Sequence, residues 1–207
     1  MTRVNYDEAF RLAKLASDHG SVDGHALLGL CYVAGQGVAV NMNVGLSHIN
    51  RSVAEGSSLG QVFLGQCYMI GAGVAKNHDK AVRYIKLAAE QGCSLGQVCL
   101  GQCYSSGTGV ARNHDEAFRY AKLAAEQDSF NGQEFLSQCY DFGIGVAENK
   151  DEANRLRGLA WDTHPFLSVV LRGQRDLCYY WLASQWAQNR LVGLEMTTRL
   201  GSCCCCC

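Results

Sequence analysis

The sequence reads as an all-α protein, an α-solenoid of stacked antiparallel helical hairpins. Three observations carry that reading: a 36-residue internal period, a pair of glycines that recurs once per period, and an asparagine that recurs just after them. The blocks beginning at Gly24, Gly60, Gly96 and Gly132 read GHALLGLCYVAGQGVAVN, GQVFLGQCYMIGAGVAKN, GQVCLGQCYSSGTGVARN and GQEFLSQCYDFGIGVAEN. The second and third blocks share 24 of 36 positions without a gap. Self-similarity at this period belongs to helical pairs that each lack a complete core and bury their apolar faces by stacking.

Each block opens with an apolar helix, here called helix A. In the second block Val62, Leu64, Cys67, Tyr68 and Ile70 recur at spacings of two to four, a pattern of burial on more than one side. Helix A stops at GxGV, seen as Gly35/Gly37, Gly71/Gly73, Gly107/Gly109 and Gly143/Gly145. A glycine there takes the left-handed cap conformation, and the next valine (Val38, Val74, Val110, Val146) plugs the end of the hairpin.

Helix B follows an N-cap asparagine at Asn5, Asn41, Asn77, Asn113 and Asn149. Glu8, Glu116 and Glu152 stand three residues later and predict capping boxes. Ala9, Gly45, Ala81, Ala117 and Ala153 form a small-residue slot for close helix approach, with an apolar stripe such as Val82, Ile85, Ala88 and Ala89. Helix B ends near Gly20, Gly56 and Gly92, with Asp128 in the equivalent place.

The organisation expected is therefore a half-repeat capping helix over 1–20, four hairpins over 21–163, a C-terminal capping helical segment over 164–199 and a flexible poly-Cys tail over 200–207. In the third part Leu177, Tyr180, Trp181, Ala187, Leu191 and Leu194 fall at helical spacing after the single proline, Pro165. A membrane-surface helix is the alternative there, favoured by Tyr179, Tyr180, Trp181 and Trp186 but opposed by Asp176 and Glu195 on the polar face.

Composition narrows function. A formal net charge of −1 provides no Lys/Arg excess for phosphate backbones, so nucleic acid is not an expected partner. No secretory signal or membrane-spanning run is visible, which places the expected location in the cytoplasm. The 12 cysteines do not read as a disulfide framework. Cys31, Cys67, Cys103 and Cys139 share one repeat slot, and equivalent positions of packed helices lie ~10 Å apart, beyond the ~7 Å Cα reach of a disulfide. These four read as small buried hydrophobes. No repeat offers CxxC or a Cys/His pair at ligand spacing, so neither a metal nor a cofactor is expected. GAGVAKN and GTGVARN follow helices and lack a GKS/GKT continuation, so they are turns rather than phosphate cradles. His78 and His114 occupy the first turn of helix B and are expected at the surface; no histidine stands in a catalytic order.

The pattern LGxCYxxGxGVAxNxxxAxxxxxLAAEQG resembles the Sel1-like repeat, a branch of the tetratricopeptide-type hairpins, over residues 5 to about 163. Asn in place of the family's usual Asp before helix B, Ala in place of its frequent Pro after GV, and Tyr84 and Tyr120 where Trp is common are departures. The resemblance implies a right-handed superhelix with helix A on the concave side and a non-enzymatic adaptor or scaffold role, as in degradation complexes, chitin synthase activation and bacterial engagement of host factors. One cysteine-rich branch binds β-lactams and carries a disulfide in each repeat. A β-lactam-binding or hydrolase-like protein is thus the alternative, with Cys93 and Cys99 as its single candidate pair here.

Two features remain as candidate sites. Gln66, Gln102 and Gln138, with Leu30 in the first block, precede each Cys–Tyr step on helix A. Their amides form a candidate groove for the backbone of a protein or peptide partner, tuned by Met69, Ser105, Asp141 and Phe142; a solvated polar row is the competing reading. The tail thiols Cys203, Cys204, Cys205, Cys206 and Cys207 are candidates for lipidation, because two or more acyl chains anchor stably at a cytoplasmic membrane face. Clustered soft-metal binding and an unmodified low-complexity end compete with it.

Overall fold

The four helix A segments begin and end for the same local reasons. Ser21, Ser57 and Ser129 adopt extended backbone geometry, and each hydroxyl accepts the N–H of the glycine three residues on, Gly24, Gly60 and Gly132. Cys93 fills this cap position in the third hairpin and makes no side-chain cap bond. At the other end Gly35, Gly71, Gly107 and Gly143 are left-handed, with φ of 68°, 81°, 76° and 66°. That conformation turns the cap N–H back onto the carbonyl of Cys31, Cys67, Cys103 or Cys139.

A computed structural model describes residues 6–163, with side chains described through residue 160. Among the described residues there are nine helices and no strands: α1 (Tyr6–Asp18), α2 (Val22–Ala34), α3 (Met42–Ala54), α4 (Ser58–Ile70), α5 (His78–Glu90), α6 (Ser94–Ser106), α7 (His114–Ala125), α8 (Phe130–Phe142) and α9 (Lys150–Thr163). They fall into two compact units, 6–77 and 78–163. In the first, α1 packs on α2, α2 on α3 and α3 on α4, and α2 also touches α4. In the second, α5 packs on α6, α6 on α7, α7 on α8 and α8 on α9, with α6 also against α8. Within each unit this is the all-α stack of hairpins that the period predicts.

The small-residue slot does what its composition suggests. Ala9, Ala81, Ala117 and Ala153 are almost fully buried. At Gly45 an added Cβ would lie 2.6 Å from Val33 and 2.8 Å from the Gly29 carbonyl, so α2 and α3 cross at backbone distance. The core is otherwise aliphatic and thiol: Val62, Ile49, Ile85, Leu100 and Phe135 are among its largest fully buried side chains. Val38 sits half-buried against Ala9, Ala13, Leu28 and Cys31, closing the end of that cluster.

Two expectations need correction. The asparagine caps form at Asn41, Asn113 and Asn149, whose Oδ1 atoms accept the N–H of Val44, Glu116 and Glu152. The reciprocal half of the capping box does not, because the N–H of Asn113 and Asn149 is already committed to the carbonyl of Tyr104 and Tyr140 at 2.9 Å. Glu116 and Glu152 instead pair with Arg119 at 2.8 Å and Arg155 at 2.6 Å, one turn on. Asn5 lies outside the described residues. Secondly, His114 is exposed as expected, but His78 is half-buried; its carbonyl lies where a Cβ on Gly109 would approach to 2.7 Å, so the α6–α7 turn covers it.

Replacing Asn41 or Asn113 by Ala is expected to cost about 1 kcal/mol each, the usual worth of a side-chain N-cap, read as a lowered urea midpoint with unchanged slope.

Candidate binding surface on the first helices of the hairpins

The Cys–Tyr step of each helix A does its work through the backbone as well as the side chain. The Cys67 carbonyl accepts N–H groups from Gly71 at 2.8 Å and Ala72 at 3.0 Å, and the Tyr68 carbonyl accepts from Asn77 at 2.8 Å. The Cys103 and Tyr104 carbonyls repeat this with Gly107, Thr108 and Asn113. The thiols Cys31, Cys67, Cys103 and Cys139 are buried, and burial pushes each up to about 12. A thiol with that value is protonated at neutral pH and is neither nucleophile nor ligand. Cys93 and Cys99 are buried as well, and neither is in a disulfide. Among the described residues the repeated disulfide required by the β-lactam-binding alternative is therefore not formed, and no group of three metal-ligating side chains is present.

The glutamine row is not a solvated one. Gln66 on α4 and Gln138 on α8 are 6% and 7% exposed, while Gln102 on α6 is half-buried. Gln138 donates from Nε2 to Glu134 Oε1 at 3.5 Å, and its own Oε1 is buried with no hydrogen-bond donor among the described residues. The same holds for the second oxygen of Glu134. Met69 is half-buried and Ser105 buried. Asp141 is half-buried, 3.6 Å from the Lys150 ammonium and paired with the Arg157 guanidinium from α9. Phe142, 65% exposed, is the most exposed large hydrophobic residue described, with Lys150 Nζ 5.7 Å from its ring centroid. In the second unit, then, α8 carries Gln138, Asp141 and Phe142 within one turn, running from buried Gln138 to exposed Phe142. Gln66 and Met69 belong to the first unit.

Sequence reasoning missed Glu134. It occupies the slot held by Ala26, Val62 and Val98 in the other blocks, all at most 2% exposed, and an acid in an otherwise apolar slot was the available signal. It also missed the meeting of His25 and His48, whose rings stack 5.6 Å apart across α2 and α3. The segment around Leu177–Leu194 and the thiols Cys203–Cys207 lie outside the described residues. No described helix is long and apolar enough to cross a membrane.

Comparison with known proteins agrees with this architecture. The Sel1 repeat family model matches residues 1–21, 22–57, 58–93, 95–129 and 131–156, and the chain belongs to that family. Sel1 repeats commonly serve as non-enzymatic scaffolds for protein interaction. Among solved structures it is similar to a Sel1 repeat protein from Oxalobacter formigenes, with 25% identity and a TM-score of 0.66 over 74% of this chain and 62% of that one. It is also similar to a protective antigen present in uropathogenic Escherichia coli strains displaying an SLR fold, with 26% identity and a TM-score of 0.58 over 89% of this chain and 42% of that one. The chain thus spans less than two thirds of the length of either relative. The curated proteins contain no match to it.

The buried thiols give a direct check. Iodoacetamide at pH 8 should leave the peptides containing Cys31, Cys67, Cys103 and Cys139 unmodified in the native chain, and mass spectrometry should find them labelled only once urea passes the unfolding midpoint.

Proposed function

We propose that the chain is a non-enzymatic adaptor that holds a protein or peptide partner on its helix A side. The observation that carries this is the ring of Phe142, 65% exposed at the end of α8, with Asp141 next to it and Gln138 one turn back. An exposed aromatic supplies the anchor that interface energetics favour. In the same unit Gln102 and Ser105 on α6 tune partner choice; Gln66 and Met69 on α4 hold the equivalent positions of the first unit. Membership of the Sel1 repeat family supports the scaffold role.

The tail completes the proposal. Cys203–Cys207 carry acyl chains, and two or more of these tether the adaptor at the cytoplasmic face of a membrane.

Affinity capture from a host lysate with the full chain, followed by quantitative mass spectrometry, tests the surface. Phe142→Ala and the Gln102→Ala/Gln138→Ala double variant are each expected to weaken the same captured partner by about ten-fold or more, a loss of ~1.4 kcal/mol; retention of every partner at unchanged level contradicts the assignment. For the tether, hydroxylamine-sensitive acyl labelling should disappear when Cys203–Cys207 are replaced by Ser, and a wild-type chain that takes no label in a eukaryotic host removes it.

A further inference from the structure

Two slots of the repeat change identity together in the α2–α3 hairpin. One slot holds Gln61, Gln97 and Gln133 in the later blocks and His25 here; the other holds Tyr84 and Tyr120 in the next two and His48 here. The residues are 23 apart in sequence, but their Nδ1 atoms lie 3.4 Å apart and their rings are 21° from parallel. Tyr32 stacks on His48 as well, at 6.1 Å and 3°. From α1, Ser17 Oγ comes within 2.6 Å of the same His25 Nδ1. Three helices therefore meet at one hydrogen-bonding point. His25 is 3% exposed, and its Nε2 is buried with no hydrogen-bond partner among the described residues.

The arrangement limits how many protons the cluster can hold. A hydrogen bond between the facing Nδ1 atoms needs an N–H on one and a lone pair on the other, which two neutral rings can supply. One more proton puts a positive charge on a ring that is largely out of water, and a second sets two N–H groups against each other. Burial first, then His25 and then Arg51, hold His48 below the ordinary histidine range, while Asp18 pulls the other way. Those two charges are themselves shared, Asp18 with Lys14 at 3.0 Å and Arg51 with Glu55 at 3.0 Å. Asp23 on α2 is engaged by Ser57, whose hydroxyl donates to it at 2.6 Å. Packed on both α2 and α3, α4 carries no charged side chain, and its titratable residues are Cys67 and Tyr68.

We propose that Ser17, His25 and His48 form an acid-sensitive latch that fastens α1 and α3 to α2 when the His48 imidazole is neutral and releases them on acidification. Opening frees His48 to take up a proton that burial keeps off it in the closed form, so closure is unaffected above about pH 7.5 and weakens as pH falls through the ordinary histidine value of about 6.5. Release uncovers the apolar cluster of Ala9, Ala13, Leu28 and Cys31 that α1 shares with α2. The latch thus makes exposure of the apolar surface between α1 and α2 depend on pH.

The test is hydrogen exchange of the full chain at pH 7.5 and pH 5.0, corrected for intrinsic rates and read peptide by peptide. His48 held neutral in the closed form raises the opening constant of α1–α3 by about 30-fold across that interval. Peptides of α6–α8 should not follow. His25→Gln and His48→Tyr each install the residue of the other repeats, so both are expected to bring the acid response of α1–α3 down towards that of α6–α8. Ser17→Ala should loosen α1 at both pH values and leave the acid response in place. An acid response of equal size in α6–α8, or one that survives unchanged in both histidine variants, overturns the proposal. Should His48→Tyr fail to fold by circular dichroism, His25→Gln alone decides it.

Discussion

The structure depends on how closely the start of each helix A approaches the end of the helix B before it. At Gly24, Gly60, Gly96 and Gly132 the incoming backbone runs against the residues of the preceding helix end with no room for a side chain. A Cβ would stand 2.7 Å from the Ala16 carbonyl carbon, 2.1 Å from Ser52 Oγ, 2.8 Å from the Ala89 nitrogen and 2.4 Å from the Ala124 carbonyl group. Atoms that close cannot coexist, so glycine here reflects contact rather than backbone conformation. The crossing fixes where each hairpin lies on the one before it, and the serine caps that accept the N–H of Gly24, Gly60 and Gly132 keep that register.

Once that contact is set, most of the chemistry in the repeat follows from closing each hairpin. Cys and Tyr carbonyls of helix A take the N–H groups of the turn, the asparagine caps helix B, and the thiol fills the core. The same backbone demand explains why the capping boxes fail: an Asn N–H that already bonds a tyrosine carbonyl has nothing left for Glu116 or Glu152. What closing the hairpins does not explain is found where a repeat departs from its neighbours. Glu134 stands in an apolar slot, Phe142 projects from the end of α8, and His25 and His48 replace an amide and a phenol in one hairpin.

Fold was legible because its determinants are local and repeated. Left-handed glycines after Ala34, Ile70, Ser106 and Phe142, the asparagine caps and the alanine slot each follow from a residue's own conformational limits, and four copies multiply the signal. The left-handed backbone of Asp128, φ 53°, in the slot of Gly20, Gly56 and Gly92 is readable in the same way. Site features were harder to read because they depend on which helix covers which. Spacing shows that Gln66, Gln102 and Gln138 occupy one repeat position; only the packing shows that two of the three amides are nearly buried. Nor does a 36-residue period reveal that positions 25 and 48 face each other across a hairpin, since the pairing depends on the crossing geometry rather than on either helix alone.

The central claim is that contact at the block-opening glycines holds the repeats in register, and urea unfolding of three glycine variants in one unit tests it most directly. Gly96→Ala and Gly132→Ala put a methyl group against backbone and should each cost about 1–3 kcal/mol. Gly158→Ala lies in the interior of α9 with nothing within 4 Å of its Cβ position, and should gain about 0.5–1 kcal/mol from helix propensity. If Gly96→Ala and Gly132→Ala stabilise the chain as much as Gly158→Ala does, the glycines serve no packing role and the account of the register is wrong.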